Sequence, residues 1–157
     1  MDDDAQVVPE QTAAEQRGMQ TAELSNAMVR IYKEQLGRGP TKAHSVYASP
    51  NLVVCTVEDS LTPAERRMVD LGEHQRVRDI RTFFQQASEK EFVETVEQIT
   101  GRSVRAFVSG TDTEHDVSSE VFYLYPKITS TDDVPGLDRE VGLAAAIHDL
   151  AVGGATQ

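Results

Sequence analysis

Twice along this chain a helical stretch stops at Gly-Arg and two short strand-like runs follow, and this arrangement limits the fold more than any other feature. In the first instance Leu24, Met28, Ile31 and Tyr32 recur at helical spacing between Thr21 and Leu36, and Gly37 supplies a C-terminal cap. "AHSVY" and "LVVCTV" then read as strands, with Pro50 of the intervening "SPN" where a type I turn favours it. In the second instance a helix ends at Gly101, and "SVRAFVS" and "SEVFYLY" are strands joined by the polar loop "GTDTEHDVS". Two hairpins with helices before each predict an α+β fold. Its expected form is a sandwich in the order α-ββ-αα-ββ, a four-stranded, mainly antiparallel sheet with the helices on one face. The echo of "LGRGP" in "TGRSV" covers three or four positions, which an old duplication and chance explain equally well.

Between the hairpins, "LTPAE" is the sharpest local signal. Thr62 as N-cap, Pro63 at the first helical position and Glu65 three residues after Thr62 make a capping box, so a short helix is predicted over Pro63–Leu71, ending at Gly72. A long helix is predicted over Glu73–Thr100. Val77, Ile80, Phe84 and Ala87 form one stripe on it, and Phe92, Val96 and Ile99 resume that stripe one position later. With Phe83 and Val93 the offset makes a wide apolar face, enough for the sheet on one side and a partner on another.

These elements place one α+β domain over residues 21–126. Residues 1–20 read as a disordered acidic tail. Residues 127–157 read as a polar linker followed by a short amphipathic helix carrying Leu143, Ile147 and Leu150, too short to be stable alone. The net charge of −11 sits mostly on these flanks: residues 30–105 hold twelve Lys/Arg against eleven Asp/Glu, whereas residues 1–29 are −5 and residues 106–157 are −7. That excess of acid excludes wholesale nucleic-acid binding, which needs positive potential facing the phosphates. No apolar run approaches the roughly 20 residues that span a bilayer, and "MDDDAQ" is unlike a signal peptide. A cytoplasmic protein without direct membrane insertion is expected. The single Cys55 rules out an internal disulfide and agrees with a reducing compartment.

Two clusters are candidates for binding. "GRGPTK" resembles a phosphate loop, but it follows a helix and precedes a strand, so it faces the negative end of the helix dipole, and Pro40 has no N–H to offer. It reads either as a helix stop or as an anion site, and the anion reading requires Arg38 and Lys42, on a loop with Gly37 and Gly39, to converge with Arg102. The run "RRMVDLGEHQRVRDIR" holds Arg66, Arg67, Arg76, Arg78 and Arg81 among Asp70, Glu73 and Asp79. That pattern is an ordinary salt-laced helix face, and beyond that a docking surface on which Arg66, Arg67, Arg76 and Arg78 would meet an acidic partner or an anionic membrane.

The remaining polar residues point to no reaction. "DTEHD", with a single His in one hairpin loop, reads as a solvated acidic turn rather than a metal site. His44, His74 and His148 are isolated, and Glu58 and Asp59 fall at the lip of the sheet. No Ser-His-Asp context or G-x-S-x-G is present. No catalytic residue, metal or cofactor is therefore expected.

"RIYKEQLGRGPTKA", "VVCTVEDSLTPAERRMVDLG", "VRDIRTFFQQ" and "TGRSVRAFVSG…VFYL" occur in that order over roughly residues 20–125. Together they resemble the small MpsC-like proteins of the Na⁺-translocating membrane-potential-generating system. The specific parts are Gly37, Arg38, Gly39 and Pro40, with Leu61, Thr62 and Glu65. The resemblance implies association with a membrane transport partner that moves ions or inorganic carbon. This chain would then be an accessory or regulatory subunit, peripheral at the inner face of the membrane. The alternative is a small-anion or nucleotide sensor built on "GRGPTK". A homodimer is also expected, because a sheet covered on one side leaves exposed edges and an open face.

Overall fold

The computed structural model describes residues 12–127. Residues 1–11 of the acidic tail, the linker beyond residue 127, the Leu143/Ile147/Leu150 stripe and His148 lie outside the described residues. The elements are α1 (Ala13–Leu36), β1 (Lys42–Ser49), β2 (Leu52–Glu58), α2 (Pro63–Asp70), α3 (His74–Ala87), α4 (Glu89–Thr100), β3 (Val104–Asp112) and β4 (Val117–Leu124). The strands form one antiparallel sheet in the order β1-β2-β4-β3, so the two hairpins join through β2 and β4. This is the α+β arrangement that the two hairpins predict.

Alternation along the central strands fixes which face is covered. Val53, Cys55 and Val57 of β2 are buried, as are Ser118, Glu120, Phe122 and Leu124 of β4. Onto these α1 lays Leu24, Met28, Ile31 and Tyr32, and α4 lays Phe92 and Val96. Phe107 stacks between Phe92 and Phe122, with ring centroids 5.4 and 4.9 Å apart.

Three boundaries differ from expectation, each for a local reason. The first helix begins at Ala13, not Thr21, because Thr12 and Glu15 form a capping box that composition alone did not reveal. Residues 13–20 are thus helical rather than tail. The long helix is two helices: Ser88 (φ −109°, ψ 6°) breaks it, while Ser88 N–H still donates to Phe84 O and Phe92 N–H to Ser88 O. The break is a kink, and the one-position offset of the apolar stripe is its sequence trace. The second hairpin is tighter than a nine-residue loop allows, with β3 running to Asp112 and β4 starting at Val117. The Asp112 carboxylate accepts from the N–H groups of Glu114 and His115 and closes that turn.

Candidate functional site

In the "GRGPTK" loop Gly37 adopts the left-handed conformation (φ 74°) and its N–H donates to Lys33 O, closing α1. A Cβ on Gly39 would stand 3.3 Å from Val29 O, so the loop presses directly on α1, with Pro40 buried behind it. Arg38 donates to Leu61 O (2.6 Å) and pairs with Asp59 (3.1 Å), and Lys42 pairs with Glu58 (3.0 Å). Arg102 lies elsewhere, donating to Pro50 O, Asn51 Oδ1 and Tyr125 O. Lys42 opens β1 and Pro50 follows its end, so roughly 20 Å of strand separates the two groups. Arg38, Lys42 and Arg102 do not converge. The geometry that the anion reading requires is absent, and each of these cations already has a protein acceptor.

Where Arg38 does lead is a charged seam that closes one end of the sheet. Asp59 (φ 56°) and Asp116 (φ 52°) both sit in the left-handed region, which Asp tolerates better than most side chains. Asp59 N–H donates to Asp116 O, and the Asp116 carboxylate accepts from the N–H groups of Ser60 (2.9 Å) and Leu61 (3.1 Å). Arg66 bridges Asp59 and Asp116. Arg38, with Thr41 and Arg66, holds the Asp59 carboxyl below the usual carboxylate range. The seam staples the second hairpin to the segment entering α2. Sequence reading placed Asp116 in a solvated turn because its partners lie 50 or more residues away. The rest of that turn is solvated: Asp112 pairs with His115 (3.0 Å), both exposed, and this pairing lowers the carboxyl and raises the imidazole.

Beneath the seam α3 turns its polar side inward. Its buried residues are Val77, Arg81 and Gln85. Arg81, only 1% exposed, makes a bidentate pair with Glu65 (Nε–Oε1 and Nη2–Oε2, both 2.7 Å) and donates to Ser60 O (2.8 Å). Burial works to raise the Glu65 carboxyl, and Arg81 with the Thr62 N–H overcomes it, leaving Glu65 below its ordinary value. Gln85 donates to Glu120 Oε1 (3.1 Å), which also accepts from the Tyr32 hydroxyl (2.6 Å). Glu120 lies in mid-sheet, fully buried, with its Oε2 unpartnered, and burial pushes its carboxyl up to about 7 against the opposing hydrogen bonds of Tyr32 and Gln85. The same burial, together with Glu120, raises the Tyr32 phenol.

Because α3 spends its polar side on the core, its apolar side faces out. Ile80, Phe83, Phe84 and Ala87 follow the i, i+3, i+4, i+7 spacing of one helix face, and all are exposed, Phe83 by 66%. Phe83 and Phe84 contact edge to face at 5.7 Å, and Leu71 stands exposed just before the helix. The expected stripe of Val77, Ile80, Phe84 and Ala87 is therefore split: only Val77 reaches the core. Arg76, paired with Glu73 (3.1 Å), heads the exposed stripe one turn before Ile80. Arg67 is exposed on α2, whereas Arg66 is committed to the seam and Arg78 turns to Gln75 and Thr113. His74 likewise faces Thr113 (2.8 Å), and His44 is exposed on β1.

These features define a class: a small two-layer α+β domain with a buried Arg81–Glu65 pair beneath α3 and an apolar helix face turned to solvent. Among the described residues no helix is long and apolar enough to cross a membrane. The family model described as "Na+-translocating membrane potential-generating system (MpsC)" matches residues 16–125, and the chain belongs to that family. No curated protein and no solved structure matches the chain.

Proposed function

We propose that this protein is a non-catalytic accessory subunit on the cytoplasmic side of the membrane. It docks, through the outward face of α3, on a membrane-embedded partner that moves ions or inorganic carbon. The observation that carries the reading is the exposed stripe Ile80, Phe83 and Phe84 on a helix whose inward side is polar. Contiguous aromatic and aliphatic exposure of this kind marks interaction sites, and aromatic residues are the usual energetic anchors of interfaces. The family description supplies the context of a membrane potential-generating system. The exposed Arg76, one turn before Ile80 on the same helix, suits a partner surface with an acidic rim.

The test is recovery of the tagged protein with solubilised host membranes, followed by mass spectrometry. An integral membrane transporter is expected to co-purify with the unaltered chain, and Phe83→Glu is expected to weaken its recovery by roughly 30-fold, the effect of losing an anchor of about 2 kcal/mol. The substitution is expected to change folding stability by no more than about 0.5 kcal/mol, since Phe83 is mostly in water already. Met19→Glu, exposed on α1, is the control and is expected to keep the partner. Undiminished recovery by Phe83→Glu would remove α3 as the docking face.

A further inference from the structure

The face of the sheet away from the helices carries a continuous apolar row. Register places Val46 of β1 beside Val54 of β2, Val54 beside Val121 of β4, and Val121 beside Val108 of β3. One valine from every strand thus forms a line across the sheet, and at the edge strand Val108 is 55% exposed. An antiparallel sheet with one face in water normally alternates apolar-in with polar-out. Here the middle of the outer face breaks that alternation.

The rows on either side of the valines differ in size in a complementary way. Toward one end stand Leu52, Tyr123 and Ala106, and toward the other Thr56, Ser119 and Gly110, on the same three strands. A two-fold axis laid along the valine row superposes β2, β4 and β3 of one copy on the same strands of another with their ends exchanged. Tyr123 of each copy then meets Ser119 of its mate, Leu52 meets Thr56, and Ala106 meets Gly110. Each large side chain falls on a small one, which is the self-complementarity an isologous contact requires. Charge follows the same operation. Arg105, 5.2 Å over the Tyr123 ring at the start of β3, comes opposite Asp112 at the end of that strand in the mate. Asp112 keeps its hydrogen bonds to Glu114 and His115 in its own turn.

We infer that this sheet face is the contact between two copies of the chain, packed sheet on sheet about the valine row, with Arg105 of each facing Asp112 of the other. Four strands about 4.8 Å apart and some seven residues long cover roughly 400 Å² of flat sheet per copy. Side-chain relief brings the total accessible area lost to about 1,000 Å², the lower bound of a specific interface. The dimer is therefore concentration-dependent. It uses a different face from α3, and it stands or falls independently of the docking reading.

Sedimentation velocity on the full chain over a dilution series tests this. A monomer–dimer equilibrium is expected. Val108→Asp is expected to raise its dissociation constant by at least ~100-fold, the effect of ~3 kcal/mol lost at the interface, while leaving circular dichroism, and the thermal midpoint at dilutions where both proteins are monomeric, unchanged. Because Val121 lies on the axis, Val121→Cys is expected to cross-link to its mate with a short bis-maleimide, whereas Met19→Cys on α1 is not. A monomer at every concentration overturns the inference, as does a dimer that survives Val108→Asp or that Phe83→Glu dissociates instead.

Discussion

Replacing Arg81 with leucine is expected to cost about 3–5 kcal/mol of folding stability, the usual cost of breaking a buried ion pair by removing one partner. Glu65 would be left without its guanidinium at a site where it is only 6% exposed. Its carboxylate also accepts from the Thr62 N–H (2.7 Å), so the same change disturbs the start of α2. The second substitution Glu65→Gln, which keeps a capping side chain but removes the stranded charge, is expected to recover most of the loss. Urea denaturation of the two variants measures both effects. A loss below about 1 kcal/mol for Arg81→Leu, or no recovery in the double variant, would show that the pair is not what ties α3 to α2. In the unaltered chain the depressed Glu65 carboxyl contributes stability above its unfolded value of about 4.5, and that contribution disappears as the pH falls through its lower folded value. Since Arg81 and Gln85 hold the inward side of α3, the same variant is expected to blunt docking through Phe83.

Glu120→Gln is expected to stabilise the protein by about 3 kcal/mol at pH 8 and to have little effect at pH 5. Burial raises the folded carboxyl to about 7 from an ordinary 4.5, so between those values the folded chain holds more protons than the unfolded one. Stability from this group therefore falls as pH climbs through that window, at about 1.4 kcal/mol per unit, and levels off above it. The groups around Glu120 are Tyr32 from α1, Arg81 and Gln85 from α3, Ser109 from β3 and Cys55 from β2, whose own thiol burial pushes up to about 11. A glutamine keeps the oxygen that Tyr32 and Gln85 donate to and carries no charge at any pH, so it stands in for the protonated acid. Denaturation midpoints of the two proteins from pH 5 to pH 8 give the comparison. Parallel curves would mean that the carboxyl titrates normally.

Much of the fold was legible because its signals are local. Gly37 and Gly101 end helices by adopting positive φ, and the Thr62–Glu65 capping box closes within one turn of its own helix. The hairpins follow from short turns and strand alternation. The helix break at Ser88 was present in the sequence as a one-position shift of the apolar stripe, but an uninterrupted helix with a wide face produces the same pattern. Asp116 carried no readable signal at all, because its partners Ser60, Leu61 and Arg66 come to it only when the two hairpins share a sheet. Arg38 and Arg102 looked alike after their glycines, yet they serve opposite ends of the first hairpin.

The sequence by itself determined the order of elements, their main stops and the two hairpins, since these depend on contacts between residues a few positions apart. That β2 and β4 join the hairpins into one sheet rests on pairing across about sixty residues or more. Which side of α3 faces the core was decided only by tertiary structure. Hydrophobic spacing alone would bury Ile80, Phe84 and Ala87, whereas Glu65 and Glu120, brought under α3 by α2 and β4, draw in Arg81 and Gln85. A carboxylate out of water needs a partner more than an apolar side chain needs cover: leaving a buried charge unpaired costs several kcal/mol, and exposing a Phe about 2.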